Sequence, residues 1–260
     1  MHQKRRFLRP LLVGTLLLPI VACGDDTPTQ TGLRPPALGS TAFIDPDVLT
    51  DSDPTTLDGL TSAGQASRTM YDGRVEGSVT VDAHVFEASF DDGLTAEVQV
   101  NPEFPSEVAA AHADKYARAF GRLPTALRVG IETIWIHDGV EPFEGRGTAM
   151  LIHVGQADLH EEDGFLEEAL VPEAARVSLQ AAHGSSAGWR EAQELDNGFI
   201  SQIAEDNPDT EDIAQSFLPY LAVLHKQDRI TAFLAGTIVN AIPARLTYFD
   251  AQSFDMYPLE

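Results

Sequence analysis

Between about Thr69 and Val100 apolar positions alternate with polar or small ones, first Val79, Val81, Ala83 and Val85, then Leu94, Ala96, Val98 and Val100. A period of two puts such side chains on one face of a pleated strand, so two strands are expected here. Asp91-Asp92-Gly93 stands between Phe90 and Leu94, and an Asp-Gly pair between two alternating runs predicts a tight hairpin turn. Pro105-Ser106-Glu107 then opens an amphipathic helix through Phe120, with Val108, Ala111, Tyr116 and Phe120 on or near one face. Strands are expected again over Thr133 to His137 and Ala149 to Val154. Helix dominates thereafter, at about Gly164–Ala182, Trp189–Leu195, Ile200–Asp206, Thr210–His225 and Arg229–Asp250. This order predicts an α+β fold, N-terminal antiparallel strands followed by a mostly helical half. Pro172 lacks the donor for the Glu168 carbonyl, so a kink or restart is expected near Val171. Pro219 and Pro243 should likewise bend or end their helices near Leu218 and Ile242.

The first 22 residues have a different pattern. Lys4, Arg5, Arg6 and Arg9 form a basic start, Leu11 to Val21 an apolar stretch, and Ile20-Val21-Ala22-Cys23 resembles a bacterial lipobox. The apolar stretch is too short to remain as a membrane-spanning helix. Cys23 is the chain's one cysteine and has no disulfide partner within it, which leaves lipidation as its expected use. Residues 1–22 thus read as a lipoprotein signal peptide, and the acyl chains on Cys23 as a stable anchor to a membrane. Gly24 after the cysteine resembles the default for sorting to the outer membrane of a diderm bacterium. Residues 23–66 are rich in Asp, Thr, Pro, Ser and Gly and are expected to be an acidic flexible tether, with residues 67–260 as the folded domain.

Charge narrows the partners. Without residues 1–22 the chain keeps 13 Lys+Arg against 40 Asp+Glu, a net charge of about −27. Phosphate contacts need surface cations, so nucleic acid and anionic lipid are excluded as direct partners. An evenly acidic surface also serves solubility alone.

Candidate chemistry lies in the helical half. Leu170-Val171-Pro172-Glu173-Ala174-Ala175-Arg176 has a Glu flanked by residues four apart on one helix face. Downstream come Phe199-Ile200-Ser201-Gln202-Ile203-Ala204, then Asn207-Pro208 and Glu211-Asp212-Ile213-Ala214-Gln215. Together these blocks resemble degenerate zincins, the gluzincin metallopeptidases similar to the catalytic domain of anthrax lethal factor. In the signature H-E-x-x-H two His residues hold zinc and the Glu activates its water. The resemblance puts Pro172 and Arg176 at the ligand His positions, Glu173 at the general base, Ile203 at the Tyr that polarises the substrate carbonyl, and Gln215 at the third ligand, a Glu. Trp189, Phe199, Ser201, Ala204, Glu211, Asp212 and Ala214 remain as framework.

Pro has no donor side chain, Arg is a permanent cation and the Gln amide oxygen is neutral, so zinc is not expected to bind. Arg176 is instead expected to pair with a carboxylate such as Glu173, Glu211 or Asp212. The resemblance then implies a lipid-anchored envelope protein with a vestigial base at Glu173, no cofactor and no peptidase activity, binding protein or peptide in the former cleft. Two alternatives stay open. One is an active zinc metallopeptidase with a relocated site, for which His183, two turns beyond Arg176, is the candidate ligand; the other is a structural or interaction lipoprotein unrelated to zincins. Gly184 after His183 suggests the last turn of a helix closed by a left-handed residue. His153, His160 and Asp158 form a second conceivable metal cluster. No Gly-rich phosphate loop and no Gly-x-Ser-x-Gly nucleophile elbow is present.

Overall fold

A computed structural model describes residues 32–42 and 44–260. The signal peptide and Cys23 lie outside the described residues. Leu33–Glu260 form one compact α+β unit.

The alternating segments become β1 (Leu57–Asp72), β2 (Gly77–Phe90) and β3 (Thr95–Val100), joined as an antiparallel meander. A 3-10 turn at Gly73–Val75 links the first two, capped by Asp72, whose carboxylate accepts from the Arg74 backbone N–H. The second turn is Asp91-Asp92-Gly93, where Gly93 takes φ 85°, a left-handed value open to Gly at no steric cost. Helix α1 (Ser106–Gly121) and the short α2 (Thr125–Arg128) carry the chain to β4 (Thr133–His137), parallel to β3. Then β5 (Glu144–Arg146) and β6 (Ala149–His153) complete a six-stranded sheet in the order β1-β2-β3-β4-β6-β5. β6 runs parallel to β4, and β5 forms the edge antiparallel to β6.

One parity of the strands builds the main core. Phe86, Phe90, Val98, Ile134, Ile136, Met150 and Ile152 pack with Ala113, Tyr116 and Phe120 of α1 and with the helices that follow. On the opposite parity Met70, Ala83 and Val85 form a small separate cluster with Trp135. The helical half comprises α3 (Val154–Glu162), α4 (Leu166–His183), α5 (Ala187–Asp196), α6 (Gln202–Asp206), α7 (Asp212–Leu224), α8 (Ala232–Ala241) and α9 (Pro243–Asp250). α4 packs along α7, and α5 along α9. Trp189 is fully buried against Tyr248 and Phe249. Arg245, fully buried, donates to Asp196 and to Asp212 at 2.9 Å each and so ties α9 to α5 and α7. A buried guanidinium with two carboxylates is costly to break, because either side alone would be an uncompensated charge.

Two expectations are corrected, on the tether and on Gly184, and two prolines expected to bend or end their helices do not end them. The stretch 23–66 is no tether beyond residue 31, since Val48 and Leu49 are fully buried and Leu57–Asp72 is a strand. Residues 23–31 lie outside the described residues. Core packing of Val48 and Leu49 and hydrogen bonds to distant residues, which its own composition does not show, hold this segment: Val48 and Leu49 N–H donate to Glu168 Oε1 at 2.9 and 3.2 Å, and Arg229 donates to Asp53. Pro172 does not restart its helix: α4 runs unbroken from Leu166 to His183, embedded in buried residues on both sides of the missing hydrogen bond. Pro219 is likewise inside α7, whereas Pro243 does divide α8 from α9, standing at the first turn where a missing N–H costs nothing. Gly184 is right-handed at φ −59°, so it prolongs the last turn of α4 rather than closing it in a left-handed conformation.

Candidate functional site

The α4/α7 pair, with α6, α3 and the start of β5, encloses a cleft of about 360 Å³. Its walls include Pro172, Glu173 and Arg176 from α4, Ile203 from α6, Glu211 and Gln215 from the start of α7, His160 from α3, Phe143 just before β5, and Ser40. All five positions singled out in the sequence thus face one cavity. They come from segments separated by as many as 43 residues, Pro172 to Gln215.

Three helical turns set the geometry. Pro172, Glu173 and Arg176 share a face because residues three or four apart on a helix are neighbours. Arg176 forms an ion pair with Glu173 and places its other terminal nitrogen 2.6 Å from Glu211 Oε2. Glu173 Oε2 also accepts the Gly145 N–H of edge strand β5 at 2.8 Å. That strand can approach because residue 145 is Gly; a Cβ there would collide with the α4 backbone at Glu173. Asp212, the other acid expected near Arg176, turns away and pairs with Arg245 and Gln193.

Burial raises the Glu173 carboxyl above its ordinary value; Arg176 and the Gly145 N–H oppose the rise, and Glu211 adds to it. For Arg176, burial would lower the pKa, but Glu173 and Glu211 outweigh it and hold the guanidinium charged. Two carboxyl groups thus share one guanidinium on this floor. His160 on the wall is lowered by burial, which Asp163 opposes, so it is neutral around pH 7. Its ring meets Phe143 edge-on at 5.1 Å.

Gln215 is a brace. Its carbonyl oxygen accepts from the Thr41 N–H at 3.0 Å, the Thr41 hydroxyl at 3.2 Å and the Ser201 hydroxyl at 3.0 Å. Ser201 also caps α6 through the Ala204 N–H. These residues do not fit a zinc ion: Pro172 has no donor, Arg176 places a cation in the site, and the Gln215 oxygen is committed to three donors. Among the described residues no group of three or more His, Cys, Asp or Glu is arranged to hold a metal ion.

The other candidates are dispersed. His183 bonds to the Tyr248 hydroxyl at 2.8 Å and lies ten residues along α4 from Glu173, roughly 15 Å at 1.5 Å per residue, so the two cannot share a metal. His153 is buried on β6 beside Asp72, His160 lines the cleft, and Asp158 pairs with Lys115 at 3.2 Å. Sequence reading missed Phe143, Gly145 and the Ser40–Thr41 segment as walls and braces of the cleft, and it singled out His160 for a different site. Ser40–Thr41 fell inside the expected tether, and the others carry no motif; the one usable hint was the apolar Val48-Leu49 pair within that segment.

Compared with protein-family models, curated proteins and solved structures, the chain matches none.

Proposed function

We propose that this chain is a lipid-anchored cell-envelope protein, held by Cys23, whose folded unit keeps the cleft of a zincin-like metallopeptidase without its zinc or its catalysis and uses it to bind protein or peptide. One observation carries the reading: Pro172, Glu173, Arg176, Ile203 and Gln215, picked out by a pattern in the sequence, surround a single cleft. Chance placement would scatter such residues, as it scatters His153, His160 and Asp158. An Arg176 bridge to Glu173 and Glu211 occupies the region where a metal would lie and supplies no Lewis acid. The apolar walls, Phe143, Pro172 and Ile203, with a floor where two carboxyl groups share one guanidinium, suit an apolar peptide bearing a basic side chain.

The test is binding without cleavage. With a defined set of Lys-containing apolar decapeptides and added zinc, the acylated chain should retain peptides intact, as read by mass spectrometry. Ile203→Asp should weaken retention at least about tenfold, the effect of roughly 1.4 kcal/mol, while Val75→Asp, on an exposed residue that does not line the cleft, should not. Chelator-sensitive hydrolysis, or equal loss in both variants, would reject the reading.

A further inference from the structure

The sequence from Ile230 to Ala244 holds no charged residue, whereas 22% of the chain is charged. At that density a run of 15 would carry about three. Helix α8 lies within this run and is only half covered by the protein. Ile238 is its one fully buried residue, and Leu234 and Ala241 pack against the core. The other side presents Phe233, 86% exposed, and Val239, 43% exposed. Between them a Cβ at Gly236 would meet nothing within 4 Å, so nothing of the described fold covers this face. Thr231 caps the helix by accepting from the Leu234 N–H, so its first turn is formed without a partner.

The start of the folded unit lies beside α8. Arg34 donates to the carbonyls of Asn240 and Ala241 at 2.7 and 2.9 Å, which fixes the start of the folded unit to the C-terminal end of α8. Eleven residues separate Arg34 from Cys23. Even fully extended, they reach no more than about 40 Å. Phe233 lies seven residues before Asn240, roughly 10 Å back along the same axis.

We infer that α8 is a membrane contact: its Phe233–Val239 face rests on the bilayer that takes up the acyl chains of Cys23. This rests on the lipidation reading of Cys23. A charge-free helix face, apolar at Phe233 and Val239 and polar at Asn240, suits the interface of a zwitterionic bilayer, and the strongly acidic remainder of the surface faces water. Binding by α8 alone would be weak. Coupled to an anchor it becomes effectively intramolecular and needs little affinity of its own.

The acylated full chain, reconstituted in phosphatidylcholine vesicles, provides the test. An environment-sensitive fluorophore is attached through Val239→Cys, which leaves Phe233 in place, and through Val75→Cys as the water-exposed control. Cys23 is the chain's single native cysteine, and its acylation keeps it from the label. Expected are a blue shift and a loss of emission to quencher-bearing lipid at residue 239, no change at 75, and reversal at 239 when Phe233→Ser is added. Equal solvent exposure of both labels on a chain whose mass shows acylation would overturn the contact. A mass without acyl groups would overturn the anchor and the contact with it. Intermolecular disulfides at residue 239 without quenching would assign the face to a second copy of the chain and overturn the proposal.

Discussion

Glu168→Gln separates a buried acid's packing role from its charge. Glu168 is fully buried on α4, and its Oε1 accepts the N–H groups of Val48 and Leu49, pinning the N-terminal segment to the helix. Burial lifts its pKa from 4.5 to about 8; the Leu49 and Val48 N–H groups pull it down, and Asp45 and Asp47 push it further up. Between those two pH values the folded chain holds a proton that the unfolded chain has released. Stability therefore falls as pH rises through that window, and 3.5 units at about 1.4 kcal/mol each set a ceiling of about 5 kcal/mol. Glutamine keeps the acceptor oxygen and cannot ionise. Urea unfolding followed by circular dichroism should therefore give near-equal stability for the two chains at pH 5, with the variant ahead by roughly 2–5 kcal/mol at pH 8.5. Glu168→Leu, which strands the Leu49 N–H and leaves the Val48 N–H only the Asp45 carbonyl at 3.4 Å, should lose roughly 1–3 kcal/mol even at pH 5. If Glu168→Gln costs as much at pH 8.5 as at pH 5, Glu168 is a stabilised anion and the account of this contact is wrong.

Arg176→Gln should destabilise by roughly 2–4 kcal/mol at pH 7.5, because Glu173 and Glu211 lose their shared cation. Because burial raises the Glu173 pKa, the loss should shrink as pH falls, and the double variant with Glu173→Gln should recover most of it in the same urea assay. Burial, reinforced by His153 and Arg74 and opposed by Asp72, drives the His137 pKa from 6.5 down to about 4. The unfolded chain binds a proton there that the folded chain refuses, so up to about 3 kcal/mol present above pH 6.5 is lost as pH falls to 4. His137→Gln should remove that acid-side slope in thermal melts at pH 4.5 and 6.5.

What the sequence makes legible follows physical range. Strands β2 and β3 and helices α1 and α5 announce themselves because each buries one face, and a buried face writes its period into the chain, whereas β6 and α7, buried all round, show as apolar runs. Strand β1 does neither: it is a mostly exposed edge, and register shifts beside Gly59 and Gly64 interrupt its alternation. Pro172 stands inside α4 without ending it because local propensity gives way to packing when the surrounding turns are buried. In the cleft, Glu173 and Arg176 were readable from helical spacing. The Gly145 contact and the Thr41 brace depend on where a strand edge and a distant segment come to rest, which no local pattern records.

The central claim is that the cleft descends from a zinc site, and restoring the ligands tests it most directly. The triple variant Pro172→His, Arg176→His, Gln215→Glu, with Glu173 retained, should bind about one zinc per chain, removable by chelator, while the parent chain binds none. Elemental analysis of the two purified chains, each checked for native circular dichroism, decides between the outcomes. A folded triple variant that takes up no zinc would show that these positions share a cleft without ever having shared a metal.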